Sequence, residues 1–341
     1  MNCWSRFGLR VRLGLYSFAM RILITGGFGF VGGRLAVHLA QAGHHIVLGS
    51  RKDLAAPTWL PQAEVAQIAW DDTVALECSC SNVDVVIQAA GMNAQECAAN
   101  PVAALGFNGV ATARLVAAAS GAGVRRLIYL STAHVYANPL VGSITEETCP
   151  RNLHPYATSH LAGEHAVMSA SQRGEMEGIV MRLSNAFGAP MDKDVNCWML
   201  LVNDLCRQAV KTRKLVLKTN GVQERNFIGL TDVCRVAERL AIDNGVPTQP
   251  GVFNVGAGES QSVIAMAQLI QKRCAEILSF EPVLQIVASV ADSHFQSLIY
   301  RRDNLAASNI RCNGQENLTE IDNLLRYCHS AFRQVRSPAH E

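Results

Sequence analysis

Between residues 21 and 184 the chain alternates short apolar runs with longer stretches rich in Ala and Leu. The runs are RILIT (21–25), HIVLG (45–49), VDVVIQAA (83–90), RRLIYLS (125–131) and GIVMRLS (178–184). The stretches 30–42, 95–122 and 155–173 between them are long enough for helices. A strand that is apolar throughout must be covered on both faces, so the pattern predicts an α/β doubly wound parallel sheet between two helix layers. Beyond residue 188 the rhythm changes to a Cys/Trp/Leu-rich helical stretch (196–210), a short strand (214–218), then RNFIGLTDVCRVAERLA and GVFNVGAGESQSV. This predicts a first domain over 20–188, rejoined by 229–258. A smaller C-terminal substrate-binding lobe is predicted from 189–228 and 259–341.

Composition narrows the class of partner. With 49% hydrophobic residues there is ample material for a core, and a net charge of +2 without long basic runs points to a small ligand rather than nucleic acid. Eleven cysteines are scattered, with only CSC (78–80) closely spaced and no pair at zinc spacing. They read as reduced thiols of a cytoplasmic chain with no metal site. The first nineteen residues carry three arginines and no acid, and Met20 directly precedes RILITGG. Residues 1–19 are expected to form an N-terminal extension, either a targeting peptide or sequence upstream of the true start. No uninterrupted apolar run of about 18 residues occurs, so no membrane span is expected.

The first chemical signal is TGGFGFVGGR (25–34), which follows a strand and opens a helix. Gly26 permits the tight turn, Gly29 the approach of a pyrophosphate, and Gly32 close helix packing. Phe30 opens the helix whose N-terminus faces the anion. The second strand ends in LGSRKD. An acidic residue there would accept a ribose 2′-hydroxyl, whereas Ser50 and Arg51 suit a 2′-phosphate; NADP(H) is favoured, NAD(H) remains possible, and a solvated basic loop is the bland alternative.

With these motifs the chain resembles the extended short-chain dehydrogenase/reductase family over about residues 20–330, especially its nucleotide-sugar epimerases, dehydratases and reductases. VIQAAG (86–91) is similar to the fourth-strand motif that lies along the cofactor, which puts Ala89 and Ala90 beside it. YLSTAHVY (129–136) resembles the segment bearing the catalytic Ser or Thr, here Thr132. MRLSNAFG (181–188) is similar to the loop beyond the sixth strand, and RNFIGLTDV (225–233) to a stretch whose arginine contacts the diphosphate of a nucleotide sugar, which makes Asn185 and Arg225 candidate diphosphate contacts; Arg225 has an internal ion pair as its alternative. Asp71 is the candidate for the adenine amino group, in a register shared with Asp72.

The resemblance makes Tyr156 the catalytic tyrosine. Tyr156 and His160 lie one helical turn apart in HPYATSHLAGEHAV (154–167). The family carries a lysine at the second position, whose ammonium lies near the phenol and hydrogen-bonds the nicotinamide ribose. His160 brings no fixed charge when neutral but keeps one ring donor. His134 either faces the substrate or serves as a structural polar side chain. The family's 4,6-dehydratases have an Asp-Glu pair directly after the catalytic threonine, where this chain has Ala133 and His134, which disfavours dehydration. Reduction of a nucleotide keto-sugar, or epimerisation through a ketone, is the expected function. A catalytically impaired NADP-binding sensor or assembly protein is the alternative. The family's dimer interface implies a homodimer through helices near 95–122 and 155–173.

Overall fold

A computed structural model describes residues 19–243, 245–246, 251–287 and 297–332. Most of the expected N-terminal extension, 1–18, lies outside the described residues. The strands are β1 (Arg21–Thr25), β2 (His45–Ser50), β3 (Glu64–Gln67), β4 (Val85–Gln88), β5 (Arg126–Thr132), β6 (Gly142–Ile144) and β7 (Glu177–Leu183). They continue with β8 (Asn185–Phe187), β9 (Lys214–Leu217), β10 (Glu224–Gly229), β11 (Val252–Val255), β12 (Ser260–Ser262), β13 (Val283–Ile286) and β14 (Leu298–Tyr300). The helices are α1 (Phe30–Gln41), α2 (Thr73–Ser79), α3 (Ala94–Ala99), α4 (Pro101–Ala104), α5 (Thr112–Gly121) and α6 (Pro155–Gln172). After them come α7 (Leu201–Thr212), α8 (Leu230–Ile242), α9 (Val263–Leu278), α10 (Asp303–Ala307) and α11 (Asn317–Phe332).

Seven strands form one parallel sheet in the order β11-β7-β5-β4-β1-β2-β3. Alternate residues supply its two cores. Ile22, Ile24, Leu48, Ile87 and Ile128 meet Leu35 and Val233 on one side, while Leu23, Val47, Val86, Leu127 and Tyr129 meet Leu115 and Val167 on the other. Each such apolar side chain contributes about 1.5–3 kcal/mol by leaving water, so the strands are held rigidly and their carboxyl ends present side chains at fixed positions. The winding order reverses at β1, with β2 and β3 following on one side and β4 on the other, which opens a crevice at the carboxyl ends of the parallel strands β1 and β4.

A third core, including Phe187, Leu205, Leu215, Phe227, Met266, Ile270 and Leu324, gathers α7, α9 and α11 into a lobe. Glu320 of α11, fully buried, ties that lobe to the first domain: Arg34 of α1 donates to it at 2.6 and 3.0 Å, and the Thr231 hydroxyl at 2.6 Å. The division of the chain differs from the expected one at its C-terminal end. Leu305, Ile310 and Cys312 belong to the sheet's core, so the chain returns there once more after residue 259.

The stretch 95–122 is divided into α3, α4, a π-helical turn at Leu105–Ala111, and α5. Pro101–Gly121 is, by length and composition, apolar enough to cross a membrane, although Asn108 and Arg114 interrupt its apolar run, and half of it is buried inside this fold.

Candidate active site

The glycine turn is built for close approach. Gly26 has φ +65°, and a Cβ there would lie 2.8 Å from the Ala90 nitrogen. A Cβ on Gly32 would lie 2.3 Å from the Gly26 carbonyl oxygen. Gly29 caps α1 without any side-chain hydrogen bond, and no acid sits in the first turn. The helix therefore offers its first N–H groups, and the positive end of its dipole, to the cavity that Gly29, Phe30 and Val31 line. This cradle, which any side chain would fill, fits the diphosphate of a dinucleotide.

From there a cavity runs outward between Gly26, Gly29, Ser50, Arg51, Ala89 and Ala90, closed by Phe28, Ile68, Trp70 and Phe107. The Arg51 guanidinium lies over the Phe107 ring, 5.7 Å from its centroid. Ser50 Oγ accepts a hydrogen bond from the Lys52 amide at 3.0 Å. Asp71 is not brought to this cavity. Its side chain is 92% exposed and paired with Arg114, while Asp72 caps α2 by accepting from the Ala75 amide; Ile68 and Trp70 take the lining positions instead.

Inward, the groove reaches Tyr156 and His160, and Thr132 lines the cavity beyond with Tyr156. Thr132 ends β5, its Oγ1 accepts from the His134 amide at 3.1 Å, and its side chain lies beside the Tyr156 phenol. Tyr156 is positioned by the start of α6: the His154 ring accepts from the Tyr156 amide at 3.1 Å, and Pro155 holds the first helical position. The Tyr156 and His160 rings meet edge to face, centroids 4.6 Å apart. Burial pushes the Tyr156 phenol up, against the lowering influence of the Thr132 side chain, and pushes His160 down to about 4. His160 is thus a neutral imidazole at pH 7. Its Nδ1 lies 2.9 Å from the Tyr129 hydroxyl.

Beyond the tyrosine a cavity of about 350 Å³ opens between the two domains, lined by Thr132, His134, Tyr156, Asn185, Phe187 and Arg225. His134, Asn185 and Arg225 also line its outer continuation with Gln223 and Glu224. Burial, Arg225 and His154 lower the His134 imidazole, which is therefore also uncharged. Asn185 donates to the Asn226 carbonyl at 2.9 Å. Arg225 makes no ion pair with a described residue, and burial lowers its guanidinium.

Two buried polar residues absent from the sequence reading belong to this site. Asn108, in the π-helical turn, accepts from the Met92 amide at 2.9 Å and donates to Ser159 at 3.0 Å. Tyr129 touches His160 from beneath. The only sequence signal for either was a polar or hydroxyl-bearing residue inside an apolar run.

Known proteins share this chain's fold and sequence pattern. The profile of the NAD dependent epimerase/dehydratase family matches residues 22–256. The dTDP-6-deoxy-L-talose 4-dehydrogenase (NAD(P)(+)) of Kitasatospora kifunensis is 30% identical over 256 residues, 73% of this chain and 78% of that protein. The dTDP-D-glucose 4,6-dehydratase of Mus musculus is 28% identical over 272 residues, 75% of this chain and 73% of that protein. The UDP-glucose 4-epimerase of Thermus thermophilus, solved in complex with NAD, shares the fold with a TM-score of 0.74 at 21% identity, over 92% of this chain and 100% of that one. The glycine cradle, the tyrosine on its helix and the extent of the family match lead to one conclusion: this chain belongs to the NAD dependent epimerase/dehydratase family, enzymes of the extended short-chain dehydrogenase/reductase type.

Proposed function

We propose that the protein interconverts C–OH and C=O on a nucleotide-activated sugar, as a keto-sugar reductase or an epimerase working through a ketone, with NADP(H) favoured over NAD(H). The observation that carries this reading is the place of Tyr156, with Thr132 beside its phenol, where the glycine-cradled groove meets the cavity holding Arg225. The bound nicotinamide dinucleotide supplies or takes up the hydride. Tyr156 gives its phenolic proton to the carbonyl oxygen, and Thr132 shares that oxygen through its hydroxyl. Because the phenol is pushed up and His160 is neutral, the protonated form needed for reduction is the resting one. His160 donates to the cofactor ribose, and Ala89 and Ala90 flank the cofactor. Gly26, Gly29, Phe30 and Gly32 hold its diphosphate, and Ser50 and Arg51 hold the 2′-phosphate. Asn185 and Arg225 hold the substrate's diphosphate, with His134 facing the sugar. No carboxylate follows Thr132, which supports reduction or epimerisation over loss of water.

Offering NADPH and NADH with a panel of nucleotide keto-sugars tests this: oxidation of the cofactor with a nucleotide-linked substrate, and none with the free sugar, is expected. Cofactor binding without turnover across the panel would favour the sensor or assembly reading, to which the lysine-to-histidine difference at residue 160 gives support.

Cofactor choice has its own test. Arg51→Asp replaces a forked donor with an anion and should weaken NADPH binding about ten- to a hundredfold while leaving NADH little changed. An unchanged NADPH-to-NADH affinity ratio in paired titrations would withdraw the assignment of the LGSRKD loop.

The proposed assembly is a homodimer. Val102, Leu105 and Val110 on the Pro101–Gly121 stretch are 84%, 51% and 48% exposed, and Leu153 before α6 is 87% exposed. Four apolar side chains on neighbouring elements suit a symmetric interface. Sedimentation at micromolar concentration should give twice the chain mass of 36.9 kDa, and a monomer there would contradict it.

A further inference from the structure

A run of buried side chains connects the glycine turn to His160. Thr25, Gln88, Thr112, Tyr129 and His160 are each at most 6% exposed, so their polar atoms must satisfy one another. The direction of each hydrogen bond follows from what its partner can do. The Ala90 carbonyl only accepts, so the Gln88 amide nitrogen faces it at 3.3 Å, and the Thr25 hydroxyl donates to the Gln88 amide oxygen. The same Gln88 nitrogen donates to Thr112 Oγ1 at 3.3 Å. The Thr112 hydroxyl, having accepted there, lies beside the Tyr129 phenol. Tyr129 has two acceptors within reach, His160 Nδ1 at 2.9 Å and the Asn108 carbonyl at 3.5 Å. The nearer one takes the proton.

We propose that Tyr129 is a positioning residue that fixes the tautomer of His160: its hydroxyl donates to Nδ1, and the ring consequently presents Nε2–H as a donor at the position where related enzymes carry lysine. The Nε2 edge lies toward Gly91, where a Cβ would be 3.9 Å away, and Gly91 lines both the outer and the inner cavity. A neutral imidazole without this constraint would divide between two tautomers, and one of them would turn a bare acceptor to the groove. Tyr129 cannot yield its role by ionising, since burial holds its phenol well above the ordinary range. The seat for its hydroxyl is made by Gly163, one turn beyond His160 on α6, where a Cβ would come within 2.6 Å of that oxygen. In this arrangement a hydrogen bond to a fixed donor stands in for a fixed cation. The service that Nε2–H gives the cofactor rests on the function proposed above; the tautomer does not.

The test is a nitrogen–proton correlation spectrum of the full-length protein labelled with ¹⁵N-histidine, in which the two tautomers give different patterns. His160 is assigned as the pattern that vanishes in both His160→Lys and His160→Gln. The expected result for wild type is the Nε2–H pattern alone, unchanged across neutral pH. Tyr129→Phe should abolish that single pattern and weaken NADPH binding about five- to tenfold, while costing less than twofold in a His160→Lys background, where no tautomer needs fixing. An Nδ1–H pattern in wild type overturns the proposal without any variant having to fold. So does an equal loss of affinity in both backgrounds, which is the mark of lost packing alone. Wild-type protein that binds neither NADPH nor NADH would remove the functional reading while leaving the tautomer result to stand by itself.

Discussion

Tyr156→Phe should lower hydride transfer by about a thousandfold and leave NADPH affinity within about twofold of wild type. The substitution removes one oxygen. The ring stays, so its edge-to-face contact with His160 and the start of α6 that carries it are kept. What is lost is the hydroxyl beside Thr132 and, with it, the proton for the sugar oxygen. A loss confined to the rate marks a group that acts in the transition state, while a parallel fall in affinity would mark a packing role. The pH profile adds a second reading. His160 sits at about 4, so its imidazole contributes no titration between pH 6 and 8 and a wild-type rate that followed such a titration would have to draw it from another group. His160→Lys, which restores a cation beside the phenol, should retain or raise the rate, and His160→Ala should weaken both cofactor binding and rate. Stopped-flow transients and cofactor titrations on the three variants separate these outcomes; Tyr156→Phe turning over at the wild-type rate would end the catalytic reading.

Gly32→Ala should cost cofactor binding at least about a hundredfold. Its new methyl would lie 2.3 Å from the Gly26 carbonyl oxygen and 3.1 Å from Gly27 Cα, so the obstacle is backbone and the turn itself must move. Moving the turn misaligns the helix N-terminus that would meet the diphosphate, and charge-assisted bonds to backbone N–H groups fall away together. Gly106→Ala is the control, because a Cβ there meets nothing within 4 Å. Titration of both variants with NADPH should leave Gly106→Ala unaffected. Equal, near-wild-type affinity in both would mean that the glycine turn is not where the dinucleotide binds.

How much of this could be read from residues alone depends on how far each signal was local. The strands RILIT, RRLIYLS and GIVMRLS carry their own evidence, because a central parallel strand is apolar on both faces, and β1, β5 and β7 fall within one residue of them. The edge strand β3 (EVAQ) has no such run, which left the segment after it without a register. Asp71 was misplaced for that reason: which of two adjacent acids turns inward depends on where a short polar strand ends, and Asp72 went to cap α2 while Asp71 turned to solvent. The helix expected from 196 begins at Leu201, since Trp198 is held in a loop by donating to the Lys193 carbonyl.

The site divides along the same line. Thr132, Tyr156, His134 and Arg225 come together at one cavity, and each stood in a motif of several residues. Tyr129 and Asn108 did not. A tyrosine in a run of Leu and Ile reads as core, and only the fold shows its hydroxyl against His160; an asparagine in an Ala-rich helix reads as solvent-facing until a π-helical turn rotates it inward. Partnerships between distant segments are invisible to periodicity.

Deuterium transfer reaches the central claim most directly. The protein is given NADPH carrying deuterium at the transferable position of the nicotinamide, together with a panel of nucleotide keto-sugars, and the sugar products are analysed by mass and NMR. Deuterium bound to a ring carbon of a nucleotide-linked sugar, absent with Tyr156→Phe, is the predicted result; tight NADPH binding with deuterium in no nucleotide sugar of the panel would contradict it.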